Sequence, residues 1–141
     1  SIKLGKNGEL DFYMPDKVSG YSTQDENNNS LVCRLRYRKF TLLYTGDIGS
    51  IVEGELLKDQ IDSVVLKVPH HGSKYSSSKS FIEAVSPKVS IISVGKNNFG
   101  HPSRETIERL NSAGSMVYRT DESGAVIIKT DGINMKLTTM K

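Results

Sequence analysis

Tryptophan is absent from this chain, cysteine occurs once, and the three histidines all lie after position 69. A lone Cys33 cannot close an internal disulfide, so a disulfide scaffold is excluded and Cys33 reads as a small core residue of an apolar strand. No window approaches the roughly 18 consecutive apolar residues of a membrane-spanning helix, and no charged-then-apolar leader opens the chain. The piece as given reads as soluble. Because it begins with Ser1 rather than methionine, it also reads as part excised from a longer chain. Charge of one sign is scarce too: a net +3 permits contact with nucleic acid without demanding it. With 36% hydrophobic and 25% charged residues over 141 positions, the composition excludes disordered and fibrous classes and predicts one domain, 1–141.

Apolar segments and helical patterns alternate along the chain. Residues 64–68 (Val-Val-Leu-Lys-Val) form the short β-branched run of a strand buried on both faces, stopped by Pro69. Strands are also predicted over 9–14, 31–37, 40–44 and 89–94, with Arg38-Lys39 near the tip of a hairpin. Residues 16–30, with Asn27-Asn28-Asn29, read as a loop. Helices are predicted over about 50–58, with Ile51, Val52, Glu55 and Leu56 on one face, over a segment capped among Ser76–Ser78 and ending near Ser86-Pro87, and behind Ser103 as far as Gly114. Three last strands, 115–119, 125–130 and 133–139, are predicted with turns at Ser123-Gly124 and Asp131-Gly132. The class is therefore α/β, a mixed sheet with flanking helices and a C-terminal β-hairpin.

Two predicted strands deliver chemistry-bearing residues to their exits. One ends in Thr45-Gly46-Asp47, the other in Pro69-His70-His71-Gly72-Ser73, and strand exits are where open α/β sheets hold ligands. Imidazole and carboxylate are donors that zinc, manganese or iron accept, so Asp47 and the histidines are candidate ligands. The competing reading makes Asp47 a helix cap and the histidines ordinary loop residues. Arg34, Arg36 and Arg38 share one strand face by the two-residue period. They form either a solvated edge or a stripe for a polyanion.

Five short motifs in one order carry a resemblance: Asn29-Ser30-Leu31-Val32, Leu42-Leu43 with Thr45-Gly46-Asp47, Lys67 to Ser73, Ser93-Val94-Gly95 with Asn97-Asn98, and Gly100-His101-Pro102. Together they resemble the C-terminal metallo-β-lactamase-like domain of the ComEC family, the membrane proteins of bacterial DNA uptake. The resemblance runs from about Asn27 to Gly132. It implies an αββα sandwich with a two-metal site, of which this chain would be the C-terminal half. It further implies Asp47 as the bridging carboxylate and one of the His pair as terminal ligand, His71 favoured over His70. His101 would contact substrate or donate a proton, unless it is only a loop residue fixed by its turn. Lys67, Ser73, Lys74, Asn98 and His70 are further residues that would face substrate or stabilise developing charge.

One departure tempers this. The superfamily's main signature, His-x-His-x-Asp-His or its His-x-Asp-x-Asp-His version, has no counterpart here, and Met14 stands before Pro15 where relatives carry a further histidine. Two ligands do not usually hold a catalytic zinc, which takes three from the protein plus water. The resemblance thus implies a zinc- or manganese-dependent phosphodiesterase or nuclease acting on DNA in the intact parent, with this domain on the extracytoplasmic side of a membrane. The piece alone is expected to be inactive, to hold no metal or little, and to self-associate through an uncovered sheet face. Two rivals remain: a non-catalytic DNA- or protein-binding module, and an esterase of small phosphodiesters such as phosphocholine esters.

Overall fold

The computed structural model describes residues 1–14 and 26–141. Seven strands form one sheet in sequence order: β1 (Ile2–Leu4), β2 (Gly8–Met14), β3 (Val32–Tyr37), β4 (Phe40–Tyr44), β5 (Val65–Lys67), β6 (Val89–Ile92) and β7 (Met116–Arg119). Strands β1 to β4 pair antiparallel and β4 to β7 parallel. Each parallel step needs a crossover, supplied by α1 (Ser50–Leu56), α2 (Lys79–Val85) and α3 (Arg104–Ser112).

All three helices pack on one face, as successive crossovers of one hand require. Val52 and Leu56, then Phe81, Ile82 and Val85, then Leu110 share one core with Leu43, Leu66 and Ile92 of the sheet. The opposite face carries a smaller core of Phe40, Leu42, Val65 and Val89, covered by Ile128, Met135 and Leu137 of the hairpin β8 (Ala125–Thr130) and β9 (Met135–Met140). Helices, large sheet and second sheet are three layers of a metallo-β-lactamase-like sandwich. Cover on the second face is partial: a groove of about 360 Å³, floored by Leu35, Phe40, Leu42, Val65 and Ile91, runs beside Val126 and Ile128.

Several expectations change. The three arginines do not make a free basic stripe. Strand β3 is internal, and Arg34 is only 4% exposed, its guanidinium donating to the Gln60 carbonyl at 3.2 Å and pairing with Asp62 at 3.1 Å. Arg36 is held by Glu9 and Asp11, both at 2.6 Å, and Arg38 sits in the turn after β3 at φ 54°. Carboxylates on neighbouring segments thus engage Arg34 and Arg36, while the Arg38 guanidinium donates to the Asp131 carbonyl at 3.2 Å.

Residues 115–119 do not join the terminal hairpin. Strand β7 closes the parallel part of the main sheet, and a helical turn α4 (Thr120–Ser123) turns the chain toward β8. The hairpin loop is four residues, because Thr130 pairs with Met135 and the Asp131 carboxylate accepts from the N–H groups of Ile133 and Asn134. Strand β1 has no counterpart in the sequence reading. Glu26–Asn29 is a 3₁₀ turn rather than loop, while the rest of the predicted 16–30 loop, up to position 25, lies outside the described residues, as does Pro15. Helix α1 is rotated from the expected face: Ile51 is 72% exposed, and Glu53 is fully buried beside Val52 and Leu56. Ser78 and Ser103 cap α2 and α3 as expected, each accepting the N–H three residues on. Among the described residues no helix is long and apolar enough to cross a membrane.

Candidate metal centre

Strands β4, β5 and β6 are parallel, so their exits fall on one edge of the sheet and bring the 45–49, 68–73 and 93–102 loops together. After β4, the Thr45 hydroxyl donates to the Lys67 carbonyl at 2.7 Å, tying the first loop to the second. Gly46 then turns at φ +54°, where an added Cβ would lie 2.5 Å from that of Ser30. The Asp47 N–H donates to the Ser30 hydroxyl at 3.0 Å, which fixes the direction of the Asp47 side chain's backbone root.

After β5, His70 and His71 both adopt left-handed backbone, at φ 50° and 53°, and Gly72 continues at φ +82°. Left-handed backbone costs a non-glycine residue roughly 1–2 kcal/mol, so this turn is held against its own preference. Three contacts hold it. The His70 N–H donates to Gly46 O at 3.1 Å, the Ser73 N–H to His70 O at 2.9 Å, and the Ser103 N–H to Gly72 O at 2.9 Å. A Cβ on Gly72 would meet that of Pro102 at 2.6 Å, so the His-His-Gly turn lies flat against the His101–Pro102 segment.

The two histidines point apart. His71 Nδ1 lies 2.7 Å from the Ser93 carbonyl, which can only accept, so Nδ1 carries a proton and, in the neutral imidazole, the lone pair is on Nε2. That Nε2 stands 3.6 Å from Asp47 Oδ1. Two ligands about 2.1 Å from one tetrahedral metal lie about 3.4 Å apart, so the pair is spaced as two donors to one ion would be. A carbonyl on the far nitrogen is also the usual support of a metal-bound imidazole. His70 instead sets its ring edge-on to His101, centroids 5.5 Å apart, and His101 stacks on Phe99 at 6.0 Å. Burial lowers the pKa of His101, helped by the nearby charges of His70 and His71 and opposed by Asp47. Burial also lowers that of Lys67, again against the pull of Asp47, and its ammonium donates to Val68 O at 2.9 Å.

The structure thus gathers Asp47, Lys67, His70, His71 and His101 at one edge. Of the remaining candidates, Lys74 lines a hollow together with His101. Ser73 is buried, its hydroxyl accepting from the Tyr75 N–H and its carbonyl from Thr106, so it braces the turn rather than facing outward. Asn97, not Asn98, organises the third loop. Its amide donates to Gly95 O and His101 O, and its carbonyl oxygen accepts from the N–H groups of Phe99 and His101. Glu53 was also missed: its carboxylate accepts the backbone N–H groups of Ser77 and Ser78 and thereby fixes the chain just beyond the histidines. A polar residue inside a 3.6-residue pattern gives no signal that it is buried.

Among the described residues no group of three or more His, Cys, Asp or Glu side chains could hold a metal ion. Asp47 and His71 are two donors, one short of the three a catalytic zinc takes. The donor set of the described residues alone does not fit a complete metal centre.

No protein-family model matches the chain. It is 38% identical over 104 residues to ComE operon protein 3 of Bacillus subtilis, covering 72% of this chain and 13% of that protein. It is 38% identical over 106 residues to competence protein ComA of Neisseria gonorrhoeae, 72% of this chain and 15% of that one, and 36% identical over 105 residues to recombination protein 2 of Haemophilus influenzae, 74% and 13%. The chain therefore spans about one seventh of the length of these relatives. Among solved structures it shares the fold of a protein from Parabacteroides distasonis described as a metal-dependent hydrolase, with a TM-score of 0.50, 15% identity, and coverage of 80% of this chain and 50% of that one. Motifs, layers and relatives agree: the chain belongs to the ComEC family, as a metallo-β-lactamase-like segment of it.

Proposed function

We propose that this chain is one part of a metal-dependent phosphodiesterase that acts on DNA during its uptake, contributing Asp47 and His71 to a site for zinc or manganese completed by residues outside these 141. The observation that carries this is the His71–Asp47 geometry. A strained left-handed turn and a Ser93 carbonyl both serve to turn one imidazole Nε2 toward one carboxylate, 3.6 Å away. Strain of this kind collects at functional sites. The competence and recombination proteins among its relatives support DNA as the substrate, and the hydrolase described for its structural neighbour supports the reaction class. His101 stands beside the pair to contact the substrate. The parent is proposed to sit in a membrane with this domain outside the cytoplasm.

The isolated chain is expected to bind metal weakly, to be inactive, and to self-associate through the apolar groove beneath the hairpin. Metal affinity by calorimetry, and cleavage of single-stranded DNA and of a phosphocholine ester in manganese and in zinc, test the proposal on this chain beside a longer form carrying more N-terminal sequence. Two metals bound and DNA cut by the longer form, with both lost in Asp47→Ala, is the expected result. Cleavage of the ester alone would replace the substrate. No metal in the longer form, with salt-dependent DNA binding by both forms, would replace the enzyme by a binding module.

A further inference from the structure

Two hollows beside the His71–Asp47 pair share a wall. One, about 230 Å³, is lined by His71, Lys96, Asn97, Phe99 and His101 among others. The next, about 360 Å³, is lined among others by Lys74, Tyr75, Phe99, His101, Arg104 and Glu105. Phe99 and His101 line both. Phe99 is 83% exposed although its loop is firmly held, since the Phe99 N–H donates to Asn97 Oδ1 at 3.1 Å and His101 stacks against one side of the ring. Tyr75, across the second hollow, is 70% exposed with the Lys74 ammonium 5.0 Å above its ring.

A single exposed aromatic needs no explanation. Here two rings bracket one hollow, neither joins either core, and the surrounding charge is mainly positive. Lys74, Lys96 and Arg104 stand against Glu105, with Arg104 partly engaged by Glu108 at 2.7 Å. A ligand matching this must offer flat apolar faces and negative charges in alternation along a flexible chain. Single-stranded nucleic acid does so, whereas a duplex keeps its base faces stacked inside.

We infer that Phe99 and Tyr75 are a stacking platform for unpaired nucleobases, with Lys74 and Lys96 on the phosphates, leading a single strand to the His71–Asp47 edge. This rests on the phosphodiesterase reading and names the form of its substrate. Neither aromatic is placed among the metal donors, and both are exposed, so their removal leaves the fold intact.

The test is fluorescence anisotropy in EDTA with a labelled oligothymidylate about ten nucleotides long, matched to the site size of such surfaces. An abasic oligomer and a duplex of the same length serve as competitors. The expected result is preference for the oligothymidylate over both, with Phe99→Ala and Tyr75→Ala each losing roughly five- to hundredfold, the range of one base–aromatic stack, and Phe99→Trp retaining affinity. Equal binding of the abasic oligomer, equal binding of the duplex, or unchanged affinity in both alanine variants overturns the inference. Because no metal is present, the two readings fail separately. Lost stacking with metal-dependent cleavage intact removes the platform alone; intact stacking without cleavage in the longer form removes the hydrolase.

Discussion

Replacing Glu53 with alanine is expected to destabilise the protein by about 3–5 kcal/mol. Glu53 lies in α1 with its side chain fully buried, and its carboxylate accepts the N–H groups of Ser77 and Ser78, the latter at 2.9 Å. Ser77 has φ 58°, so two successive amides point into one concavity, and the carboxylate fills it as an anion fills a backbone nest. Removing the acceptor orphans two amides, each costing roughly 1–3 kcal/mol, and leaves the space of the missing methylenes; relief from holding a charge out of water offsets part of the loss. Glu53→Gln keeps one acceptor oxygen and is expected to lose about half as much. Glu55 on the same helix is exposed, so Glu55→Ala should stay within about 0.5 kcal/mol. Urea unfolding at neutral pH measures all three, with the dependence on urea unchanged if only the folded state is affected. A loss below about 1 kcal/mol in Glu53→Ala would refute the reasoning, because the two amides would then have found other partners.

Gly72→Ala forces a side chain into left-handed backbone and against Pro102, and is expected to cost about 2–4 kcal/mol by urea unfolding, with His71 displaced from Ser93 in its NMR shifts. Asn97→Ala removes the amide that staples residues 95–101, so amide exchange at Phe99 and His101 should accelerate roughly tenfold, equivalent to the ~1.4 kcal/mol of one lost hydrogen bond, while the core stays protected. Glu9 has its pKa lowered to about 2, chiefly by its bond to Lys3, then by Ser1 and by the Arg36 charge. Its folded value lies below the unfolded one, so its stabilisation is complete above about pH 4.5 and is lost as pH falls toward 2. In Glu9→Gln that part of the acid limb should vanish, as read from stability measured across this range.

The sequence determined the strands β4, β5 and β6 and the exits of the site, because buried strands need continuous β-branched runs and the residues after Tyr44 and Lys67 stand in register with them. It also determined the cap Ser103 and narrowed that of α2 to Ser76–Ser78, since these hydroxyls act within three residues, and it marked Asp47 and the His70-His71 pair as the candidates at those exits. Local chemistry leaves a local trace. The tertiary structure alone decided the rest. Arginines spaced along one strand read as a solvated edge or a basic stripe, but the fold makes their strand internal and brings Glu9, Asp11 and Asp62 from distant segments to pair with Arg34 and Arg36. Glu53 gave no sequence signal of its role, because only the fold brings the amides of Ser77 and Ser78 to it. Strand β7 read as a hairpin strand because its partner β6 is reached across a helix. Which histidine faces Asp47 was likewise undecided by two adjacent imidazoles. The left-handed turn and the Ser93 carbonyl decided it, since the direction of a side chain depends on backbone angles and partners that the order of residues does not contain.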